Sequence, residues 1–290
     1  MKDAPPGFEV HEKAGEGGMG VVYRANFEGR IVALKLLRPD LLPAGSAALR
    51  FSREVRAARA LAHPSIAFFV AEGQTPAGRP FVAHEWIEGT TLAEHGPCSS
   101  RRAVELMEPI LDALGHAHQT GLVHRDVTPR NLIITDAGAK LIDFGLVASL
   151  ARSVDEQTWS RLTKTGFVVG TPPYMAPEQI EGRKVSAATD LWAMGVILYW
   201  LSSGREPFLA KTPTLRMLKA VSEPPRPLNE VAPHLSADFC ALVTRAMEKE
   251  PAQRWPSAQA MRDALLTAKV GDVCPEASET TLATTRTRRR

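Results

Sequence analysis

The chain has 290 residues, of which 44% are hydrophobic and 23% charged, so a wholly disordered polypeptide is excluded and one or two globular units are expected. Arg286, Arg288, Arg289 and Arg290 supply four positive charges at the extreme C-terminus; set against the net +3 of the whole, the body carries −1 and gives no bulk-charge case for binding nucleic acid. Cys98, Cys240 and Cys274 lie far apart without metal-ligand spacing, and Met1 to Val10 lacks the apolar run of a signal peptide, which points to free thiols and a cytoplasmic location.

Val21 to Ala25 and Ile31 to Leu36 read as strands separated by a turn at Glu28-Gly29. Just ahead, Gly15-Glu16-Gly17-Gly18-Met19-Gly20-Val21-Val22 follows the pattern G-x-G-x-x-G-x-V. Such patterns also occur in flexible turns and dinucleotide folds, but a dinucleotide fingerprint opens a helix, whereas Val21 to Ala25 continues as a strand. A glycine turn between two strands can bring backbone amides onto phosphates with no side chain in the way. In Val32-Ala33-Leu34-Lys35, period-two alternation puts Ala33 and Lys35 on one face. The plain alternative is a lysine on the solvated face of an edge strand. Ala47 to Ala62 predicts a helix with Phe51, Val55, Ala58, Leu61 and Ala62 on its apolar side, and Glu54 falls on that same side. An acid there is the partner a buried Lys35 would need, because an unpaired buried charge is costly. Phe81 to Ile87 predicts a further strand, ending at Glu88-Gly89.

The remainder reads as mostly helical. Arg101 to Gln119 has Val104, Met107, Ile110, Leu111, Leu114 and His118 at helical spacing, and the short strands Leu132 to Ile134 and Ala139 to Ile142 flank a turn. Between these elements stands His124-Arg125-Asp126-Val127-Thr128-Pro129-Arg130-Asn131, and Asp143-Phe144-Gly145 follows the second strand. Asp126 and Asn131 are five residues apart in a loop, so both can point at one site. Asn131 and Asp143 offer the oxygen donors that suit a hard divalent cation such as Mg2+. Each triplet alone could be a turn with an Asx cap. Residues 146–170 read as a hydroxyl-rich surface loop, and helices are expected at 190–203, 236–248 and 257–268. Leu191 to Leu201 is apolar for 11 residues, a buried helix and too short for the ~20 that cross a bilayer. From Val270 the apolar density collapses, so 270–290 is expected to be a disordered basic tail.

In order and spacing, the glycine-rich turn, Lys35, Glu54, His-Arg-Asp with Asn131, Asp-Phe-Gly and Ala176-Pro177-Glu178 resemble the eukaryotic-type protein kinases, in their bacterial Ser/Thr branch, over about Phe8 to Leu266. The resemblance implies an α+β, two-lobed fold: an N-lobe at 1–84 of antiparallel sheet plus one helix, a hinge at 85–88, and a larger, mainly helical C-lobe at 89–269. It implies ATP and two Mg2+ ions, with Mn2+ as a substitute, and protein Ser/Thr substrates. Ala14, Gly15, Glu16, Gly17, Gly18, Met19, Gly20 and Val21 would cover the phosphates. Val22, Ala33 and Ile133 would sandwich adenine, whose edge the hinge residues Glu85, Trp86 and Ile87 would read. Lys35 would hold phosphates with Glu54 pairing it, Asn131 and Asp143 would hold the metals, and Asp126 would accept the proton of the incoming hydroxyl.

Further expectations follow from the same resemblance. Glu178 would pair with Arg254, Asp190 would tie down the loop around Asp126 unless it is only a helix N-cap, and Thr171 would help position peptide and catalytic Asp. Arg125 would pair with phosphates added by autophosphorylation at Thr163 and Thr165. Relatives dimerise through their N-lobes, so a homodimer of that kind is an expected partner. Two positions depart from the pattern. His84 stands where an apolar side chain usually closes the back of the adenine pocket, and Thr128 stands where Ser/Thr kinases place a lysine. Arg130, four after Asp126, is the candidate to supply the missing charge; the alternative is a nucleotide-binding scaffold with weak or no transfer. A small-molecule phosphotransferase is disfavoured, because those enzymes lack the Ala-Pro-Glu segment.

Overall fold

The computed structural model describes residues 3–17, 20–38, 59–144 and 172–275. Strands β1 (Phe8–Gly17), β2 (Gly20–Phe27), β3 (Arg30–Leu37), β4 (Phe69–Gln74) and β5 (Pro80–Glu85) form one antiparallel sheet in the order β1-β2-β3-β5-β4. Alternation along β3 decides what each face does. Val32, Leu34 and Leu36 are buried with Phe8, Ala25, Phe81 and Ala83 in a small core. Ala33 and Lys35 point the other way, with their cross-strand neighbours Val22, Val82 and His84. The sheet thus spends one face on its own stability and offers the other to a cleft.

Two strands differ from the sequence reading. β5 ends at Glu85 rather than Ile87, because Trp86 N–H turns to Ile31 O at 3.3 Å and the chain then leaves the sheet. β4 was not foreseen: its sequence, FVAEGQ, carries Glu72 and Gly73 in place of β-branched residues, and pairing with β5 rather than propensity holds it. The third glycine of the glycine-rich turn has a packing cause. A Cβ on Gly20 would lie 2.2 Å from the Leu36 carbonyl oxygen of β3, whereas Gly15 and Gly17 meet nothing within 4 Å.

Beyond residue 85 the chain is mainly helical. It contains β6 (Thr90–Thr91), α1 (Leu92–His95), α2 (Ser100–Gln119), β7 (Leu132–Thr135), β8 (Gly138–Leu141), α3 (Pro177–Ile180), α4 (Ala187–Ser203), α5 (Pro213–Ser222), α6 (Leu228–Val231), α7 (Ala237–Ala246) and α8 (Ala258–Thr267). The apolar run expected at Leu191–Leu201 is the centre of α4, which is buried continuously from Thr189 to Ser203 because it is apolar on every face. Gly204, at φ +66°, ends it. Its tightest neighbour is α7: a Cβ on Gly195 would come within 2.7 Å of Ala246 Cβ. Around α4 pack Leu106, Met107, Ile110 and Leu114 of α2, Phe239 and Val243 of α7, and Met261 and Leu265 of α8, in one large core.

The segment before β4 joins the two lobes, for Ala67 N–H bonds Leu141 O at 2.9 Å and Leu141 N–H bonds Ser65 O at 2.8 Å. At the other end, the first residues of the expected tail are held to the start of α2. Gly271 O accepts from Arg101 N–H at 3.1 Å, and Asp272 Oδ1 accepts from Arg101 Nε–H at 2.6 Å. No described helix is long and apolar enough to cross a membrane.

Candidate active site

The site is assembled from the cleft face of β3, the loop 124–131, and the end of β8. Lys35 Nζ, from β3, donates to Asp143 Oδ2 at 2.6 Å across the cleft, joining residues 108 apart in sequence. Burial alone would raise the Asp143 carboxyl's pKa, but the adjacent ammonium overrides it and holds the group below its usual range. Asp143 is thus held in its anionic form, the form that can bind a metal cation.

Asp126 is fixed from both sides. Asn131 Nδ2 donates to the Asp126 carbonyl at 2.8 Å and to its Oδ2 at 3.1 Å, so the Asn131 side-chain oxygen is left for a cation. On the other side His124 acts as a bracket. Its Nδ1 accepts from Asp126 N–H at 3.3 Å and its Nε2 donates to Ile142 O at 3.1 Å, tying the loop to the residue before Asp143. The ring also meets Phe144 edge-on at 4.8 Å between centroids. Burial pushes the Asp126 pKa up, against the opposing bond from Asn131.

The loop's shape depends on α4. Asp190, 1% exposed, accepts from His124 N–H at 2.9 Å and from Arg125 N–H at 2.7 Å, and its Oδ2 lies 2.8 Å from His118 Nε2. Burial would raise its pKa, but the His118 bond and these donors bring it down. The clamp has a conformational task, since Arg125 and Asp143 are non-glycine residues at φ +68° and +58°. Left-handed backbone at such residues persists only where its surroundings over-determine it. Gln179 of α3 adds a third hold, donating through Nε2 to Arg125 O at 2.8 Å. Beneath it, Glu178 and Arg254 form the expected pair, fully buried and bidentate at 2.8 and 2.7 Å.

The protein kinase domain profile matches residues 8–266 of the sequence. The chain belongs to this family. It is 37% identical over 280 residues to the serine/threonine-protein kinase PknB of Mycobacterium tuberculosis, an alignment that covers 93% of this chain and 44% of that protein. To the serine/threonine-protein kinase pkn3 of Myxococcus xanthus it is 36% identical over 268 residues, covering 88% of this chain and 48% of that protein. The chain therefore spans about half the length of the curated relatives it matches. Among solved structures, the PknI kinase domain of Mycobacterium tuberculosis superposes with a TM-score of 0.71 at 26% identity, over 91% of this chain and 96% of that one. The fold is the two-lobed kinase fold, and the relatives are bacterial Ser/Thr kinases.

Within the kinase fold, the glycine-rich turn is the β1–β2 hairpin, with Gly15 opposite Val22 and Gly17 opposite Gly20. Ala14 is the extra residue of a bulge, Glu16 forms an exposed ion pair with Lys13, and Val21 lies opposite Leu36. Gly18 and Met19 lie outside the described residues, as do Glu54, Gly145, Thr163, Thr165 and Thr171. Val22 and Ala33 lie on the sheet face that carries Lys35, and Ile133 of β7 is half-buried. At the hinge, the Glu85 carboxylate accepts from Phe68 N–H at 3.1 Å and from Lys140 Nζ at 2.8 Å, so its side chain braces the lobes; Ile87 is half-buried.

His84 is buried against Phe69 on the sheet face that carries Lys35, and burial lowers its pKa, which favours the neutral ring. Thr128 is also buried, with its carbonyl accepting from Asn131 N–H at 2.9 Å. Arg130 is exposed on the turn Pro129–Asn131. Sequence reasoning did not single out His124, His118 and Gln179 for their bracing roles. His118 carried a faint signal, as a polar residue on the apolar face of its helix.

Proposed function

We propose that this chain is an ATP-dependent serine/threonine protein kinase that transfers the γ-phosphate to Ser or Thr of proteins and autophosphorylates Thr163 and Thr165. The observation that carries the reading is the convergence of Lys35, from one side of the cleft, with Asp143, Asn131 and Asp126 from the other, with Asp126 held between Asn131 and His124. A carboxylate, an amide oxygen and a neighbouring lysine are the donor set that a magnesium-bound triphosphate requires, and this family generally uses ATP with such an ion. Two ions held by Asp143 and Asn131 would neutralise charge developing on the transferred group.

The chain's own groups then do the positioning. Lys35 orients the phosphates from the β3 side, and Gly15 and Gly17 leave open space over them. Asp126 accepts the hydroxyl proton as the substrate oxygen bonds to phosphorus and the bond to the ADP oxygen breaks. Burial makes that carboxylate a better acceptor than a solvated one. Exposed Arg130 would lend the transferred group the charge that buried Thr128 cannot.

The rival reading, a nucleotide-binding scaffold, rests on Thr128 alone. Transfer of radiolabel from γ-labelled ATP to a generic protein, followed by phosphoamino-acid analysis, tests the proposal against an Asp126→Asn control. Phosphoserine or phosphothreonine that disappears in the control supports it; equal label in both proteins sinks it. Peptide mapping of the same reaction finds phosphate on Thr163 and Thr165 if the autophosphorylation reading holds.

A further inference from the structure

Cys98 and Cys274 stand far apart in sequence, and the fold brings them to one place. Cys98 is the fixed half of the pair. It is 6% exposed, packs into the large core just ahead of α2, and donates its N–H to Leu201 O of α4 at 2.9 Å. Cys274 is exposed and arrives on the segment that follows α8. Its Sγ faces Pro97 O at 3.9 Å, and that oxygen belongs to the peptide group of Cys98 itself. Burial pushes the Cys98 thiol up to about 12, and the neighbouring Cys274 thiol adds to the rise.

A series of contacts leads the chain to this place. Ser236 Oγ–H donates to Lys269 O at 2.7 Å, Gly271 N–H donates to Ser100 Oγ at 2.9 Å, and Arg101 N–H donates to Gly271 O at 3.1 Å. The Arg101–Asp272 ion pair carries it one residue further. From Gly271 to Cys274 the segment thus retraces the chain from Arg101 to Cys98. These holds are weak, since an ion pair this exposed contributes little. A disulfide joins Cα atoms about 4.4–6.8 Å apart. Val273 and Cys274 are both exposed, so little packing opposes the small shift that brings the two sulfurs together.

We infer that Cys98 and Cys274 form a reversible intrachain disulfide, a redox latch that fastens the segment after α8 to the base of α2. The oxidant is a small-molecule disulfide. Exposed Cys274 reacts first: its thiolate attacks one sulfur of the oxidant, a mixed disulfide forms, and one small thiol leaves. Cys98 then attacks the Cys274 sulfur and expels the second small thiol. The two cysteines are oxidised, the small disulfide is reduced, and both cysteine protons end on the thiols released. A buried thiol is a poor first attacker, but in the second step the mixed disulfide is already beside it. Excess small thiol runs both steps backwards, as suits a compartment where disulfides are transient.

The test incubates the full chain with oxidised glutathione, quenches with an alkylating agent, and reads free thiols, intact mass and a peptide map. The unaltered protein is expected to lose two of its three thiols, to retain no glutathione, and to yield a peptide joining Cys98 to Cys274. Its Tm is expected to rise by about 5–10 °C, because the bond closes a long loop around most of the C-lobe, and dithiothreitol reverses the rise. In Cys98→Ala the mixed disulfide is trapped on Cys274. In Cys274→Ser, a change at an exposed position that leaves the core intact, both remaining thiols stay free and Tm does not move. Three unreacted thiols, glutathione retained on Cys274 of the unaltered protein, or a bond between two chains each overturn the inference. So does closure that leaves Tm unchanged.

Discussion

Replacing Glu178 with alanine removes one half of a pair that is buried completely, and the structure allows the consequence to be worked out bond by bond. All five N–H donors of Arg254 are engaged: Nε on Glu248 O, Nη1 on Glu178 Oε1 and Ala188 O, and Nη2 on Glu178 Oε2 and Lys249 O, at 2.7 to 3.0 Å. The guanidinium also lies over the Trp192 ring at 5.0 Å, beneath α4. In Glu178→Ala two donors and a full charge are left without compensation where water does not reach, and Thr189 Oγ loses its 2.7 Å acceptor. Breaking one side of such a pair costs about 3–5 kcal/mol, which for a chain of this size is a fall in Tm on the order of 10 °C. Urea unfolding followed by fluorescence measures it.

The pH dependence carries a sign. Burial would raise the Glu178 pKa, but Arg254 brings it below the ordinary glutamate range. Its contribution is therefore full above the unfolded-state value and is lost as pH falls through the lower folded value. The stability gap between the unaltered protein and Glu178→Gln should narrow on acidification. Turnover should fall as well, since the next residue, Gln179, holds Arg125 O. A loss under ~1 kcal/mol at neutral pH would refute the reasoning, because it would mean the guanidinium finds other partners.

Two further outcomes are expected. Asp190→Asn leaves one acceptor oxygen for the His124 and Arg125 amides, so Arg125 should relax from φ +68° and turnover should drop at least about tenfold; steady-state kinetics with nucleotide affinity measured in parallel separates this from a binding defect. Arg130→Ala should lower kcat about tenfold or more with little change in ATP affinity, if this exposed cation stands in for the absent lysine; unchanged turnover rules that role out.

Much of the site was legible because its residue types are out of place for a bland fold. A lysine inside an apolar strand and two carboxylates in short loops each ask for a partner, and alternation along β3 correctly put Ala33 and Lys35 on one face. The fold followed in outline from the apolar α4 and the periodic α2. β4 escaped because its pairing is set by β5 and its composition is polar. The Lys35–Asp143 contact spans 108 positions, and only the closed cleft shows that these two groups meet. Asp190 was readable as a loop anchor, but its partner His118 needed the packing of α2 on α4.

The most direct test of the central arrangement is nucleotide binding titrated with and without magnesium, for the unaltered protein and for Asp143→Asn. If Lys35, Asn131 and Asp143 gather one metal-bound triphosphate, magnesium strengthens ATP binding about tenfold or more in the unaltered protein, and the substitution abolishes that gain. Binding that ignores both the ion and Asp143, or no binding at all, contradicts it.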